Sequence, residues 1–267
     1  MKGVIIDIVG NKGGVGKTTI SCNLGAALAK LGKKTLVVDN DSQCNTTSIL
    51  VPQGTTTENT IYELFDPEIN APVEDCIYST VESGLFCLPN SIETSRLEMI
   101  FAKNYPDSLY LLKNKIRDYA ISNYDYILID NPPSIGLVVT QSLCASDYFL
   151  IPNKADSAFS IDGLINVIKI VESIKKNINP NIKMLKLLIN QVHMRKLVCK
   201  VVVETLKQRF GENKILKSTI PDATDLQKAE LIKTTIFQQN STSRPARAFR
   251  ALAKEIDKII QESNKNG

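Results

Sequence analysis

Apolar residues in this chain gather in short runs, and the stretches between them carry an apolar position every three or four residues. The first run is Val4-Ile5-Ile6-Asp7-Ile8-Val9; glycines follow it, and then a helical pattern over 20–31. Further runs stand at 35–38, 85–89, 126–130, 148–152 and 184–189. Apolar runs this short, bounded by turn residues, predict buried strands. Residues 92–102, 108–121, 135–144, 161–176 and 196–210 read as helices, and positions 161, 164, 165, 168 and 171 keep a 3.6-residue period. A short helix over 60–65 is stopped by Pro67, and the polar segment 44–57 reads as a loop. Ile215-Leu216 and Thr219-Ile220 flank a short strand before Pro221, and a terminal helix over 245–261 has Pro245 in its first turn. Strand–helix alternation of this kind predicts an α/β fold, a mainly parallel twisted sheet with helices on both faces. The whole chain, 1–267, is expected to form one domain.

In such sheets ligands sit beyond the carboxyl ends of the strands. The chemically suggestive segments all fall there: 10–19, 39–43, 130–134, 190 and 221. The first reads Gly10-Asn11-Lys12-Gly13-Gly14-Val15-Gly16-Lys17-Thr18-Thr19. Strand, glycine loop and helix together cradle a phosphate chain, because glycines let backbone N–H groups turn inward and the helix start adds its positive dipole end. Lys17 reaches the outer phosphates, and Thr18 offers a hydroxyl to Mg²⁺. The loop departs from G-x-x-x-x-G-K-[ST]: Asn11 stands where that pattern has glycine, and Lys12 is an extra lysine. One nucleotide needs one loop lysine, so Lys12 has another use.

Asp39 and Asp41 follow the second strand. One residue apart on an extended chain, they point to opposite sides, so that one faces Mg²⁺ or water and the other supports the loop. Asp130 ends a fully apolar strand, before Asn131-Pro132-Pro133. A carboxylate there is where a phosphate-loop NTPase holds Mg²⁺, directly or through a neighbour.

Composition narrows the classes. Apolar residues make up 43% and charged residues 22%, as in ordinary globular proteins. Six cysteines without a C-x-x-C pair and a single histidine argue against zinc and for reduced, mostly buried thiols. No apolar run approaches the roughly 20 residues that span a bilayer, and no charged-then-apolar leader precedes Val4, so a cytoplasmic protein is expected. The net charge of +4 by itself implies no polyanionic partner.

Taken together, Lys12 to Thr19, Asp39-Asn40-Asp41-Ser42-Gln43 and Ile129-Asp130-Asn131-Pro132-Pro133-Ser134 resemble the ParA/MinD group of deviant Walker ATPases, closest to the ParA (Soj) branch that partitions plasmids and chromosomes. The similarity extends to Asn23-Leu24-Gly25-Ala26-Ala27-Leu28-Ala29, Ala145-Ser146-Asp147 and Ser243-Arg244. The resemblance implies a slow, partner-stimulated ATPase using ATP and Mg²⁺. It implies a homodimer that sandwiches two ATP molecules, with Lys12 crossing to the partner's nucleotide. By position, Gly13, Gly14, Val15, Gly16, Lys17, Thr18 and Thr19 form the phosphate loop. Thr18, Asp41 and Asp130 are implied around the metal, Asp41 positioning the attacking water. Pro133, Asn190, Pro221 and Asp222 lie where the nucleotide is otherwise contacted. Ser42 stands in place of a usual proline, Asp222 in place of a usual arginine, and Lys228-Ala229 in place of a glutamate–alanine pair.

The ParA branch binds DNA without sequence preference, and two basic groups fit that use. Arg195, Lys196, Lys200, Lys207, Arg209, Lys214 and Lys217 stand against only Glu204 and Glu212; Arg244, Arg247, Arg250 and Lys254 recur at helical spacing. A ParB-like centromere-binding protein and a nucleoid-associated location are the implied context. Alternatives are a ParA-like ATPase positioning a protein cargo and a MinD-like membrane-associated ATPase. The tail 256–267 has only a narrow apolar stripe, so no membrane is expected as partner. Cys87 and Cys144 do not fall where iron–sulfur relatives carry cluster ligands.

Overall fold

The computed structural model describes residues 2–10, 12–155, 159–193 and 196–265. Among the described residues seven strands form one sheet: β1 (Val4–Ile8), β2 (Thr35–Asp39), β3 (Tyr78–Ser79), β4 (Leu85–Leu88), β5 (Tyr126–Asp130), β6 (Tyr148–Lys154) and β7 (Lys183–Asn190). Their order is β3-β4-β2-β5-β1-β6-β7, with β3 antiparallel to β4 and the remaining pairs parallel. The central strands are buried along their whole length, as strands covered on both faces must be.

Eleven α-helices are described: α1 (Lys17–Lys30), α2 (Asn45–Leu50), α3 (Ile61–Phe65), α4 (Glu98–Lys103), α5 (Asp118–Asn123), α6 (Leu137–Ala145), α7 (Phe159–Asn177), α8 (Leu197–Phe210), α9 (Thr224–Leu231), α10 (Ile236–Asn240) and α11 (Arg244–Lys265). The two-residue period of β1 sorts them into layers. Ile6 and Ile8 join a cluster with Leu24, Leu28, Phe249 and Ile256 of α1 and α11. Ile5 and Val9 face the other way, toward clusters built on α3–α5 and on α6–α8. The apolar stripe of α11 is therefore spent on the core: Phe249, Leu252, Ala253, Ile256 and Ile260 are buried.

Three expectations need correction. Residues 45–50, read as loop, are the helix α2, although N-T-T-S is a weak helix sequence. Its first turn is held from outside, because Asp39 Oδ2 accepts from Thr47 N (2.7 Å) and Thr47 Oγ1 (2.6 Å). Residues 215–221 form no strand: they meet β7 and the residues just after it through isolated bridges, Leu187 to Ile215 and Val192 to Pro221, and through Leu216 N and Ile220 N, which donate to Leu187 O and Ile189 O. The helices expected over 92–102 and 108–121 are broken into shorter turns, with 3₁₀ segments at Ile92–Leu97 and Asp107–Tyr110 and a π turn at Lys113–Arg117.

Candidate nucleotide site

The loop between β1 and α1 lies at the carboxyl edge of the sheet, beside the ends of β2 and β5. Gly14 (φ 73°) and Gly16 (φ 87°) adopt left-handed backbone that side chains rarely tolerate, and this turns the loop. A Cβ on Gly16 would stand 2.4 Å from Asn190 Nδ2. Gly13 and Gly14 have open space where a Cβ would be. Lys17 is buried, and its Nζ donates to Lys12 O at 3.3 Å, so the ammonium lies across the loop's mouth. Burial lowers the Lys17 pKa, against the opposing pull of Asp130 and Asp41. Lys12 and Gly13 are exposed, Val15, Thr18 and Thr19 half-buried.

Asp130 is completely buried, yet three hydroxyls donate to it: Thr18 (2.8 Å) and Thr46 (2.8 Å) to Oδ2, Ser21 (3.2 Å) to Oδ1. Burial pushes its carboxyl up to about 6; the Thr46 and Thr18 hydroxyls, the Lys17 charge and Ser21 restrain the rise. Asp39 is buried too and is raised to about 7, by burial first and the Asp130 charge second. The two acids of the D-x-D segment divide their tasks. Asp39 anchors α2 through Thr47 and accepts from Asp41 N (3.3 Å). Asp41 is half-buried, and its Oδ1 accepts from Gln43 N at 3.0 Å.

These residues fit a Mg²⁺-bound triphosphate. The loop offers inward backbone, a buried ammonium and a Thr18 hydroxyl already held by an acid. Among the described residues no cluster of three His, Cys, Asp or Glu side chains is set to hold a metal alone. A metal here would share its shell with phosphate oxygens and water, as Mg²⁺ commonly does.

Beside the loop lies a cavity of about 240 Å³, lined by Thr19, Asn190, Gln191, Pro221, Asp222 and Leu226 among others. Sequence-predicted Thr19, Asn190, Pro221 and Asp222 meet there; Pro133 does not and stands exposed in the loop after β5. Asn190 is tied to the phosphate loop, its Nδ2 donating to Val15 O at 2.7 Å. Gln191 (φ 53°) likewise donates to Gly14 O at 3.3 Å. Sequence reasoning missed Gln191, Ser21 and Thr46; only the neighbourhood of Asn190 and Lys17 could have pointed to the first two.

A family model described as an AAA domain matches residues 3–184. The chain is 34% identical to the sporulation initiation inhibitor protein Soj of Bacillus subtilis, over 95% of this chain and 98% of that protein. It is 32% identical to the chromosome-partitioning ATPase Soj of Thermus thermophilus, over 97% of each. The chain belongs to the ParA/MinD family of P-loop ATPases. Its fold is shared with the septum site-determining protein MinD of Pyrococcus horikoshii, solved with Mg-ADP, at a TM-score of 0.74 and 25% identity over 96% of this chain and 97% of that one.

The candidate DNA residues of this ParA/MinD member are separated by the fold. Arg195 lies outside the described residues. Lys196 and Lys200 are exposed at the start of α8, beside the exposed side chains of Leu197, Val198 and Val201. Lys207 is ion-paired with Glu212 at 3.1 Å. Arg244, Arg247 and Arg250 lie on α11, which packs in the other helical layer. Arg247 and Arg250 turn back to the carbonyls of Thr242 and Ser241, and Arg250 stacks over Phe237 at 5.1 Å. No helix among the described residues is long and apolar enough to cross a membrane.

Proposed function

We propose that this ATPase is a nucleotide-gated DNA-partitioning switch: an ATP sandwich dimer that binds duplex DNA without sequence preference and is reset by hydrolysis. One observation carries the reading: two lysines serve one phosphate loop, Lys17 buried within it and Lys12 exposed at its lip. A buried ammonium neutralises phosphate charge inside one protomer, whereas an exposed loop lysine is placed to answer a phosphate from a second. Dimerisation then depends on the bound triphosphate, a two-state equilibrium biased by its ligand.

Mg²⁺, when bound with the nucleotide, would neutralise phosphate charge. Thr18 provides a hydroxyl toward it, and Asp130 orients that hydroxyl. Asp41 holds and polarises the attacking water. Asn190 and Gln191 fix the loop's outer turn, and the cavity with Pro221 and Asp222 receives the base. Slow basal turnover accelerated by a ParB-like partner is part of this reading.

The start of α8 is the primary DNA surface, because Lys196 and Lys200 are exposed there with few compensating acids. The α11 arginines contribute less, since two of them are engaged by their own turn. The burial of the α11 stripe argues for DNA over a membrane as the surface. The whole chain acts as one domain, cytoplasmic and nucleoid-associated.

The reading is tested by equilibrium binding of non-specific duplex DNA to Asp41→Ala with ATP and with ADP, over a range of salt. The expected result is ATP-dependent binding that weakens with salt; equal binding with ADP and ATP would refute the gate.

A further inference from the structure

The two-residue period of β1 places Asp7 on the same face as Ile5 and Val9, where the layer under α6 calls for an apolar residue. Asp7 is instead a fully buried carboxyl. Its Oδ1 accepts from Asn131 Nδ2 at 2.6 Å, and its Oδ2 has no hydrogen-bond partner. Burial pushes the carboxyl up to about 8, against the restraint of the neighbouring Ser142 and Asn131 side chains.

Asn131 is the hub of a wider arrangement. Its Oδ1 accepts from Asn40 Nδ2 (2.9 Å) and from Ser142 Oγ (2.9 Å) of α6. Asn40 also donates through its backbone to Asp130 O (2.8 Å) and through Nδ2 to Val138 O (3.3 Å). Asp7, Asn40, Asn131 and Ser142 are each at most 5% exposed. Each belongs to a segment that also carries site chemistry or packs on one: Asp7 to the strand leading into the phosphate loop, Asn40 between Asp39 and Asp41, Asn131 directly after Asp130.

We propose that Asn131, through its bonds to Asn40 and Asp7, is a positioning residue that holds the Asp41 loop in register with the phosphate-loop strand. The proposal rests on the assignment of Asp41 and the phosphate loop made above. A side-chain amide suits the task, since one planar group accepts on one side and donates on the other. Buried networks of this kind fix geometry tightly, because a broken member leaves its partners unsatisfied in low dielectric. Sub-ångström drift of a water-positioning carboxylate lowers turnover far more than it lowers nucleotide affinity.

The test compares Asn40→Ala, Asn131→Ala, their double variant, Ser142→Ala, Asp7→Leu and Asp7→Asn by steady-state ATP turnover, with binding of a fluorescent ATP analogue measured in parallel. Asn40→Ala and Asn131→Ala are expected to lose at least tenfold in kcat while KM and analogue affinity stay within threefold. The double variant should fall no more than twofold below the worse single, because both break one unit. Asp7→Leu should lose kcat similarly and Asp7→Asn should recover most of it. Where Asn131→Ala does not fold, Asn40→Ala and Ser142→Ala decide, the latter with a two- to fivefold loss in kcat. Folded variants with wild-type kcat, or single losses that multiply in the double variant, would overturn the proposal. An Asp41→Ala protein that turns over like wild type would instead sink the assignment on which it rests.

Discussion

Thr46 Oγ1 donates to Asp130 Oδ2 at 2.8 Å, joining a helix unreadable in the sequence to the acid that ends β5. The same oxygen accepts from Thr18. Replacing Thr46 with valine keeps the shape and removes one donor from a buried carboxylate. The expected outcome is a stability loss of about 1–2 kcal/mol by urea unfolding and a several-fold drop in ATP turnover. Unchanged stability and turnover would show that the bond does no work.

Gly16 offers a backbone test of the loop. Alanine there meets both a φ of 87° and Asn190 Nδ2 at 2.4 Å. Gly16→Ala is expected to destabilise by about 1–3 kcal/mol and to weaken ATP binding at least tenfold in titration calorimetry. Asn190→Ala in the same background should recover part of the stability, since it removes the clash.

The buried acids make a prediction about pH. Asp7, raised to about 8, keeps its proton when folded and loses it when unfolded. Its contribution to stability is full below its unfolded value and is lost as pH rises toward the folded one. That loss is about 1.4 kcal/mol per pH unit. Urea stability without nucleotide should therefore fall between pH 6 and pH 8, and the fall should be shallower in Asp7→Asn by about 1 kcal/mol per unit. Parallel slopes in the two proteins would contradict it.

Charge reversal on α8 addresses the DNA surface. For a binder neutralising phosphates, log K falls with log salt by about 0.9 per contact. Lys196→Glu with Lys200→Glu should reduce that slope by about 2 and weaken binding across unrelated sequences. Arg250→Ala is expected to change it little, because Arg250 is held over Phe237 and bonded to Ser241 O.

Much of this was legible from the chain. The strands of the central sheet are nearly continuous apolar runs, so β1, β2, β5, β6 and β7 were readable within a residue or two at most ends. The segments carrying Lys17, Asp41 and Asp130 were readable because glycines and strand-ending acids mark them. What escaped was fixed by tertiary contact. Helix α2 exists because Asp39 holds Thr47, against weak local propensity. The segment 215–221 could not be told from a strand because its apolar residues pack on β7 without continuous pairing. Asp7 sat unnoticed in an apolar run, since nothing local reveals that Asn131 meets it from a segment more than a hundred residues away.

In the proposed function, ATP is read by two subunits through Lys12. The decisive measurement is sedimentation velocity of Asp41→Ala with ATP and with ADP, run beside the same protein carrying Lys12→Ala. The expected result is a dimer with ATP, a monomer with ADP, and a monomer with ATP once Lys12 is gone although nucleotide still binds. A dimer that persists without Lys12, or a monomer with ATP when Lys12 is present, would contradict it.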